Sequence, residues 1–99
     1  MKKKKEEVEP VAVLIRVRGQ VQGVGFRYYT MVKARNYDLT GYVKNLSDGT
    51  VEAYAEGDKE KLEKLVRDLT RGPIGSEVED VDTAWREAKD HHEEFNIDF

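Results

Sequence analysis

The sequence contains no cysteine, which removes disulfide bonds, zinc–thiolate centres and every cysteine-nucleophile mechanism at once. It also lacks a long apolar run. The longest, Val11 to Ile15, is five residues, against the roughly 18–20 that a membrane span requires. Basic charge is not in excess: 17 Lys and Arg stand against 20 Asp and Glu, a net charge of −3. That balance gives no basic face by bulk count, so nucleic acid is not an expected partner. Met1 and Lys2 to Lys5 are followed by Glu6, Glu7 and Glu9, where a signal peptide needs apolar residues. The expectation is a soluble, cytoplasmic protein with no membrane partner.

What remains is a chain of 99 residues, enough for one domain at roughly 100–200 residues each. Apolar residues make up 38% and charged residues 37%, polar for a globular chain yet far from a disordered composition. Residues 1–10 read as a charged, mobile leader broken at Pro10, and residues 11–99 as a single domain. Lys and Glu together supply 22 of the 99 residues, a bias toward a heat-stable sequence.

Val11, Val13, Ile15 and Val17 alternate with Ala12, Leu14, Arg16 and Arg18, the period of a strand with one apolar face, ending at Gly19. A short glycine-rich loop follows, Gly19 to Gly25. From Phe26 the period changes: Phe26, Thr30, Ala34 and Tyr37 form one helical stripe that ends near Asn36 to Asp38. Leu39 to Leu46 reads as a second strand, Asp48-Gly49 as the heart of a hairpin turn, and Thr50 to Glu56 as a third strand. Asp58 caps a second helix with the stripe Leu62, Leu65, Val66 and Leu69, which Gly72-Pro73 stops. Glu60–Lys64 and Glu63–Arg67 are spaced as i,i+4 ion pairs on it. A fourth strand, Glu77 to Arg86, and a short closing strand, Phe95 to Phe99, complete the chain.

The order β-α-β-β-α-β plus a short terminal strand is that of a ferredoxin-like split βαβ sandwich. It is an α+β fold with an antiparallel sheet and two helices on one face. Right-handed crossovers would insert the third strand between the first and second, leaving those two parallel. The loop after the first strand and Asn45 at the end of the second then meet at one sheet edge, about 9–10 Å apart.

A glycine-rich turn entering a helix presents several backbone N–H groups at the positive end of the helix dipole. Arg27, in the first turn, can fold its guanidinium over the same concavity, an arrangement that a bound anion would offset. The loop is neither a P-loop nor a dinucleotide fingerprint, since it lacks the Gly-Lys-Ser/Thr ending and the G-x-G-x-x-G spacing.

Gly19-Gln20-Val21-Gln22-Gly23-Val24-Gly25-Phe26-Arg27 and Gly41-Tyr42-Val43-Lys44-Asn45-Leu46-Ser47-Asp48-Gly49-Thr50-Val51-Glu52 strongly resemble the two signature segments of the acylphosphatase family. Ala55-Glu56-Gly57 and Gly72-Pro73 fit as well, so the resemblance covers roughly residues 11–99. It implies hydrolysis of the carboxyl–phosphate bond of a small acyl phosphate to a carboxylate and inorganic phosphate, with no metal ion and no cofactor. By position, Arg27 would bind the phosphate and Asn45 would orient the attacking water. The backbone amides of Gln20, Val21, Gln22, Gly23, Val24 and Gly25 would hold the phosphoryl oxygens. A monomer is expected. The sequence departs from the family at Asp38, where glycine is usual, at Gln20, where a basic residue is common, and in the leader.

Other features carry less. Asp80-Val81-Asp82-Thr83 has the start of an aspartyl-phosphate motif but continues with Ala84. His91 and His92 are adjacent in a polar loop without a third ligand nearby. Trp85, Phe95 and Phe99 offer a ligand platform or core and sheet packing, and the packing reading is favoured; Tyr28 and Tyr29 divide between packing and lining the cleft. The rival readings are an RNA- or ligand-binding module, which a lone Tyr54 on the third strand disfavours, and an accessory phosphate-binding unit.

Overall fold

A computed structural model describes residues 10–89 and 92–99. The leader expected over residues 1–10 lies, except for Pro10, outside the described residues, as does His91. The elements run β1 (Val11–Gln20), α1 (Phe26–Asn36), β2 (Thr40–Asn45), β3 (Val51–Gly57), α2 (Lys59–Arg71), β4 (Glu77–Glu87) and β5 (Phe95–Ile97). They form one five-stranded sheet in the order β4-β1-β3-β2-β5. β3 pairs antiparallel with both β1 and β2, so those two run parallel with β3 between them, as the sequence predicts. β5 runs parallel to β2 at one edge, which makes the sheet mixed rather than wholly antiparallel.

The core faces the helices. Val13, Ile15 and Val17 of β1, Val51, Ala53 and Ala55 of β3, Val43 of β2 and Phe95 of β5 are buried there. They meet Phe26, Thr30 and Ala34 of α1 and Leu62, Leu65 and Leu69 of α2. The stripes repeat at the helical period, so each helix buries one face and leaves its charges in water. The helices are tied to each other as well: the Tyr29 hydroxyl donates to the Asp68 carbonyl at 2.9 Å and the Tyr37 hydroxyl to its carboxylate at 2.6 Å. Arg35 donates to the Phe95 carbonyl at 2.9 Å and to Asn96 Oδ1 at 3.0 Å, fastening the end of α1 to β5.

Three expectations are corrected. β1 does not stop at Gly19; after a bulge between Arg18 and Gly19 it continues to Gln20, paired with Glu77 of β4. The glycine permits this, because a Cβ there would lie 2.0 Å from the Glu77 carbonyl oxygen. The spaced charges of α2 do not close into ion pairs; the ion pairs among the described residues are cross-strand, Arg16–Glu52 and Arg18–Asp80. Exposed Glu and Lys on a solvated helix gain little by closing. Of the three aromatics read as packing, only Phe95 is buried. Trp85 on the edge strand β4 is 42% exposed, with Lys59 Nζ 5.9 Å from its ring, and Phe99 is fully exposed.

After α1 the chain turns at Asp38 with φ of 60°, the left-handed region that an L side chain adopts at a cost. Asp38 is exposed. Asp38→Gly relieves that strain but frees the unfolded chain, and should raise stability by up to about 1 kcal/mol. A urea titration reads this as a higher midpoint at unchanged slope; a lower midpoint would mean that Asp38 makes a contact worth more than its strain.

Candidate functional site

The topology carries three chain ends to one edge of the sheet: the exit of β1, the exit of β2, and the exit of β5, which is parallel to β2. Asn45 is the last residue of β2 and pairs with Val51, which pairs in turn with Val17 of β1. Beyond β5, the Asp98 N–H donates to the Val43 carbonyl at 2.8 Å, which delivers Phe99 to the same edge.

Between β1 and α1 the chain makes the loop 21–25. Gly23 and Gly25 take φ of 77° and 78°, and nothing lies within 4 Å of where a Cβ would stand on either. The surface over both is therefore open backbone, which an anion can approach. Gly25 is the N-cap of α1 and offers no side-chain cap, and no acidic residue occupies the first turn. The free N–H groups at that end and the positive end of the dipole stay uncompensated. Arg27 adds a cation in the same turn. Among the described residues it makes no ion pair, and its guanidinium rests 5.0 Å from the centroid of the Phe99 ring.

These groups enclose a cavity of about 180 Å³ lined by Val21, Gly23, Gly25, Phe26, Arg27, Tyr28, Asn45, Ile97 and Phe99. Arg27 and Asn45, expected as a pair from the sequence, thus share one cavity. Of the six loop residues, Val21, Gly23 and Gly25 line it. Gln20 lies outside, at the end of β1, and Val24 packs against the core. Gln22 turns its side chain to the β2–β3 turn, donating to the Leu46 and Thr50 carbonyls at 2.9 Å each. That turn is further tightened by Asp48, whose Oδ1 accepts from the Thr50 hydroxyl and N–H at 2.6 and 3.0 Å. These hydrogen bonds hold the Asp48 carboxyl below the usual carboxylate range.

Sequence reasoning missed Ile97 and Phe99 as lining residues; the signal was a closing strand whose pairing direction is not written in its residues. Tyr28 lines the cavity at 64% exposure, whereas Tyr29 packs against the core. Asn45 is the anomaly of the site: its Oδ1 is buried and, among the described residues, accepts no hydrogen bond. An unpaired buried acceptor costs about 1–3 kcal/mol, and such an atom calls for an explanation in terms of function. Among the described residues no three His, Cys, Asp or Glu side chains gather as metal ligands, and no helix is long and apolar enough to cross a membrane.

The acylphosphatase family model matches residues 13–97. This chain belongs to the acylphosphatase family. An acylphosphatase of Salinibacter ruber is 46% identical over 85 residues, which cover 86% of this chain and 90% of that protein. The crystal structure of an acylphosphatase from Bacillus subtilis superposes with a TM-score of 0.87 at 37% identity, covering 90% of this chain and 99% of that one. An acylphosphatase structure from Coxiella burnetii gives 0.86 at 34% identity, covering 99% and 100%. The acylphosphatase relatives and structures identify the chain as a hydrolase acting on acyl phosphates, on a ferredoxin-like α+β fold.

Because the unpaired Oδ1 of half-buried Asn45 costs stability while the site is empty, Asn45→Ala should leave stability unchanged or raise it by up to about 1–3 kcal/mol. Equilibrium urea unfolding checks this; a loss above about 2 kcal/mol would mark Asn45 as a structural residue instead.

Proposed function

We propose that the protein hydrolyses acyl phosphates without a metal ion, using Arg27 to hold the phosphoryl group and Asn45 to orient the attacking water. The observation that carries this reading is the unpartnered Asn45 Oδ1 in the wall of the cavity that also contains Arg27 and the open loop. The loop amides, principally from Val21 to Gly25, cradle the equatorial phosphoryl oxygens at the positive end of α1. The Arg27 guanidinium neutralises charge on the same oxygens through fork-shaped donors.

Water then attacks phosphorus as the bond from phosphorus to the acyl oxygen breaks. The electron pair of that bond leaves on the carboxylate, and the proton of the water passes to a phosphoryl oxygen, giving inorganic phosphate. Phosphoryl transfer of this kind depends on position and charge more than on covalent chemistry. A carboxylate is a good leaving group, so a neutral amide that places the water suffices and no strong base is required. The acyl group projects past Tyr28 and Phe99, the exposed rings at the cavity rim.

A cytoplasmic, heat-stable monomer with no nucleic-acid partner is the accompanying reading of the whole chain. The Lys and Glu content supports heat stability, and the net charge of −3 the lack of a nucleic-acid partner.

Purified protein should hydrolyse benzoyl phosphate at the same rate with and without a chelator, with inorganic phosphate as a competitive inhibitor. A chelator-sensitive rate would sink the metal-free mechanism. Arg27→Ala should weaken phosphate inhibition about 10- to 100-fold, as expected for a charge-assisted contact of about 1.5–3 kcal/mol, and should abolish turnover. Turnover lost with phosphate inhibition intact would remove Arg27 from the phosphate site. Asn45→Ala should retain phosphate inhibition and lose kcat by about 100-fold or more, the scale of a misplaced nucleophile; an unchanged kcat would exclude Asn45 from water orientation.

A further inference from the structure

Gln22 stands in the phosphate loop, but its side chain points away from the cavity lining. Both hydrogens of its carboxamide nitrogen are used, one on the Leu46 carbonyl and one on the Thr50 carbonyl, each at 2.9 Å. Those two carbonyls are the two ends of the turn between β2 and β3. They already accept from within the turn, the Thr50 carbonyl from the Leu46 N–H at 2.9 Å and the Leu46 carbonyl from the Gly49 N–H at 3.1 Å. A carbonyl oxygen has two acceptor positions, so Gln22 occupies the second on each and completes both. The turn that it grips is stiff in its own right, since Asp48 Oδ1 closes on Thr50 by two hydrogen bonds.

Leu46 is the residue after Asn45, its Cα only about 3.8 Å along the chain. We infer that the Gln22 side chain is a positioning residue of this hydrolase: it fixes the separation between the phosphate loop and Asn45. The inference rests on the hydrolytic reading of the same site. Apart from this clamp and the apolar packing of Val21 and Val24 against the core, the hydrogen-bonded connection from loop to Asn45 runs through the ladder from β1 to β3 to β2, whose β1–β3 part ends at Val17 opposite Val51. Val17 is four residues before the loop begins at Val21. The clamp spans that gap at two points on the side where phosphorus and water must be aligned. Displacement of about 1 Å in such an alignment can cost about 100-fold in rate.

The residue type follows from the task. Two N–H donors on one planar group are needed to meet two carbonyls, and a glutamine supplies them without charge beside an anion site. Glutamate at the same position would turn acceptors toward acceptors and set a negative charge beside the cradle. Methionine keeps the length and volume and removes both donors.

The test is a double-mutant cycle with benzoyl phosphate on folded variants, each checked by thermal melting. Gln22→Met should lower kcat about tenfold, with the phosphate inhibition constant changed by less than about twofold, since the loop amides and Arg27 are untouched. In the Asn45→Ala background the same substitution should cost less than about twofold, because the group that it positions is gone. Gln22→Glu should lower kcat further than Gln22→Met. An unchanged kcat in Gln22→Met, an equal loss in both backgrounds, or phosphate affinity falling in step with kcat would overturn the proposal. A second readout does not depend on turnover. In a phosphate titration followed by NMR, the backbone amides of Leu46 and Gly49 should shift in the wild-type chain and lose most of that shift in Gln22→Met. Equal shifts in both would overturn the coupling, whereas a wild-type chain that binds phosphate but hydrolyses nothing would overturn the hydrolytic reading alone.

Discussion

The site depends on β3 serving as the shared partner of β1 and β2. Val51 faces Val17 on one side and Asn45 on the other, and this single row sets how far Asn45 stands from the loop that leaves β1. The apolar alternation of Val51, Ala53 and Ala55 against Val13, Ile15 and Val17 makes the register costly to change. A slip of one residue would turn Glu52, Tyr54 and Glu56 of β3 toward the helices, setting two carboxylates in the apolar core. A slip of two would keep the faces but move Asn45 by about 6–7 Å relative to the loop, farther than a water molecule can bridge. The hydrophobic core therefore acts on the chemistry directly, through register.

The start of α1 shows the opposite balance between stability and use. A helix is favoured by a capping side chain, by acids in its first turn and by cations at its end. α2 follows that pattern, with the Asp58 carboxylate accepting from the Glu60 N–H at 2.8 Å and with Arg71 in the last turn. α1 departs from it at every point near the loop: a left-handed glycine at the cap, no acid, and Arg27 beside uncompensated N–H groups. Each departure costs stability when the site is empty and favours an anion that occupies it. The unpaired Asn45 acceptor belongs to the same class, a local rule broken where a ligand or water completes the structure.

Much of this was legible in the sequence, because the signals involved are local. The change of period at Phe26, the glycines before it and the Asp48-Gly49 turn place the elements to within a residue or two. The strand order follows from connection rules, and Arg27 and Asn45 fall at the same edge as a consequence. The rest was not legible, because it depends on contacts far apart along the chain. The extension of β1 past Gly19 requires Glu77 opposite Gln20, 57 positions later. The lining by Ile97 and Phe99 requires a three-residue strand to choose β2 as a parallel neighbour, and nothing in Phe95 to Ile97 states that choice. The clamp by Gln22 is of the same kind, since its partners are 24 and 28 residues away.

The charge of the chain poses a last question, since a protein of net charge −3 is proposed to gather an anion. Its field at the cavity is local: among the described residues that line it, Arg27 is the one charged side chain. Glu52 and Glu56, both buried, lie on the face of the sheet away from the helices, where their charge is met locally. Burial pushes the Glu52 carboxyl up, but hydrogen bonds from the Tyr42 hydroxyl and Arg16, at 2.8 and 2.9 Å, overcome it and hold it below the usual carboxylate range. The Tyr54 hydroxyl donates to Glu56 at 2.6 Å, and burial together with that bond pushes its own pKa up to about 12, so it remains a donor at any working pH. Tyr42 is raised in the same way, by burial first and by Glu52 second. The two carboxylates thus lie behind the sheet, each bound to a donor, and the potential that an incoming phosphate meets is that of Arg27 and the open end of α1.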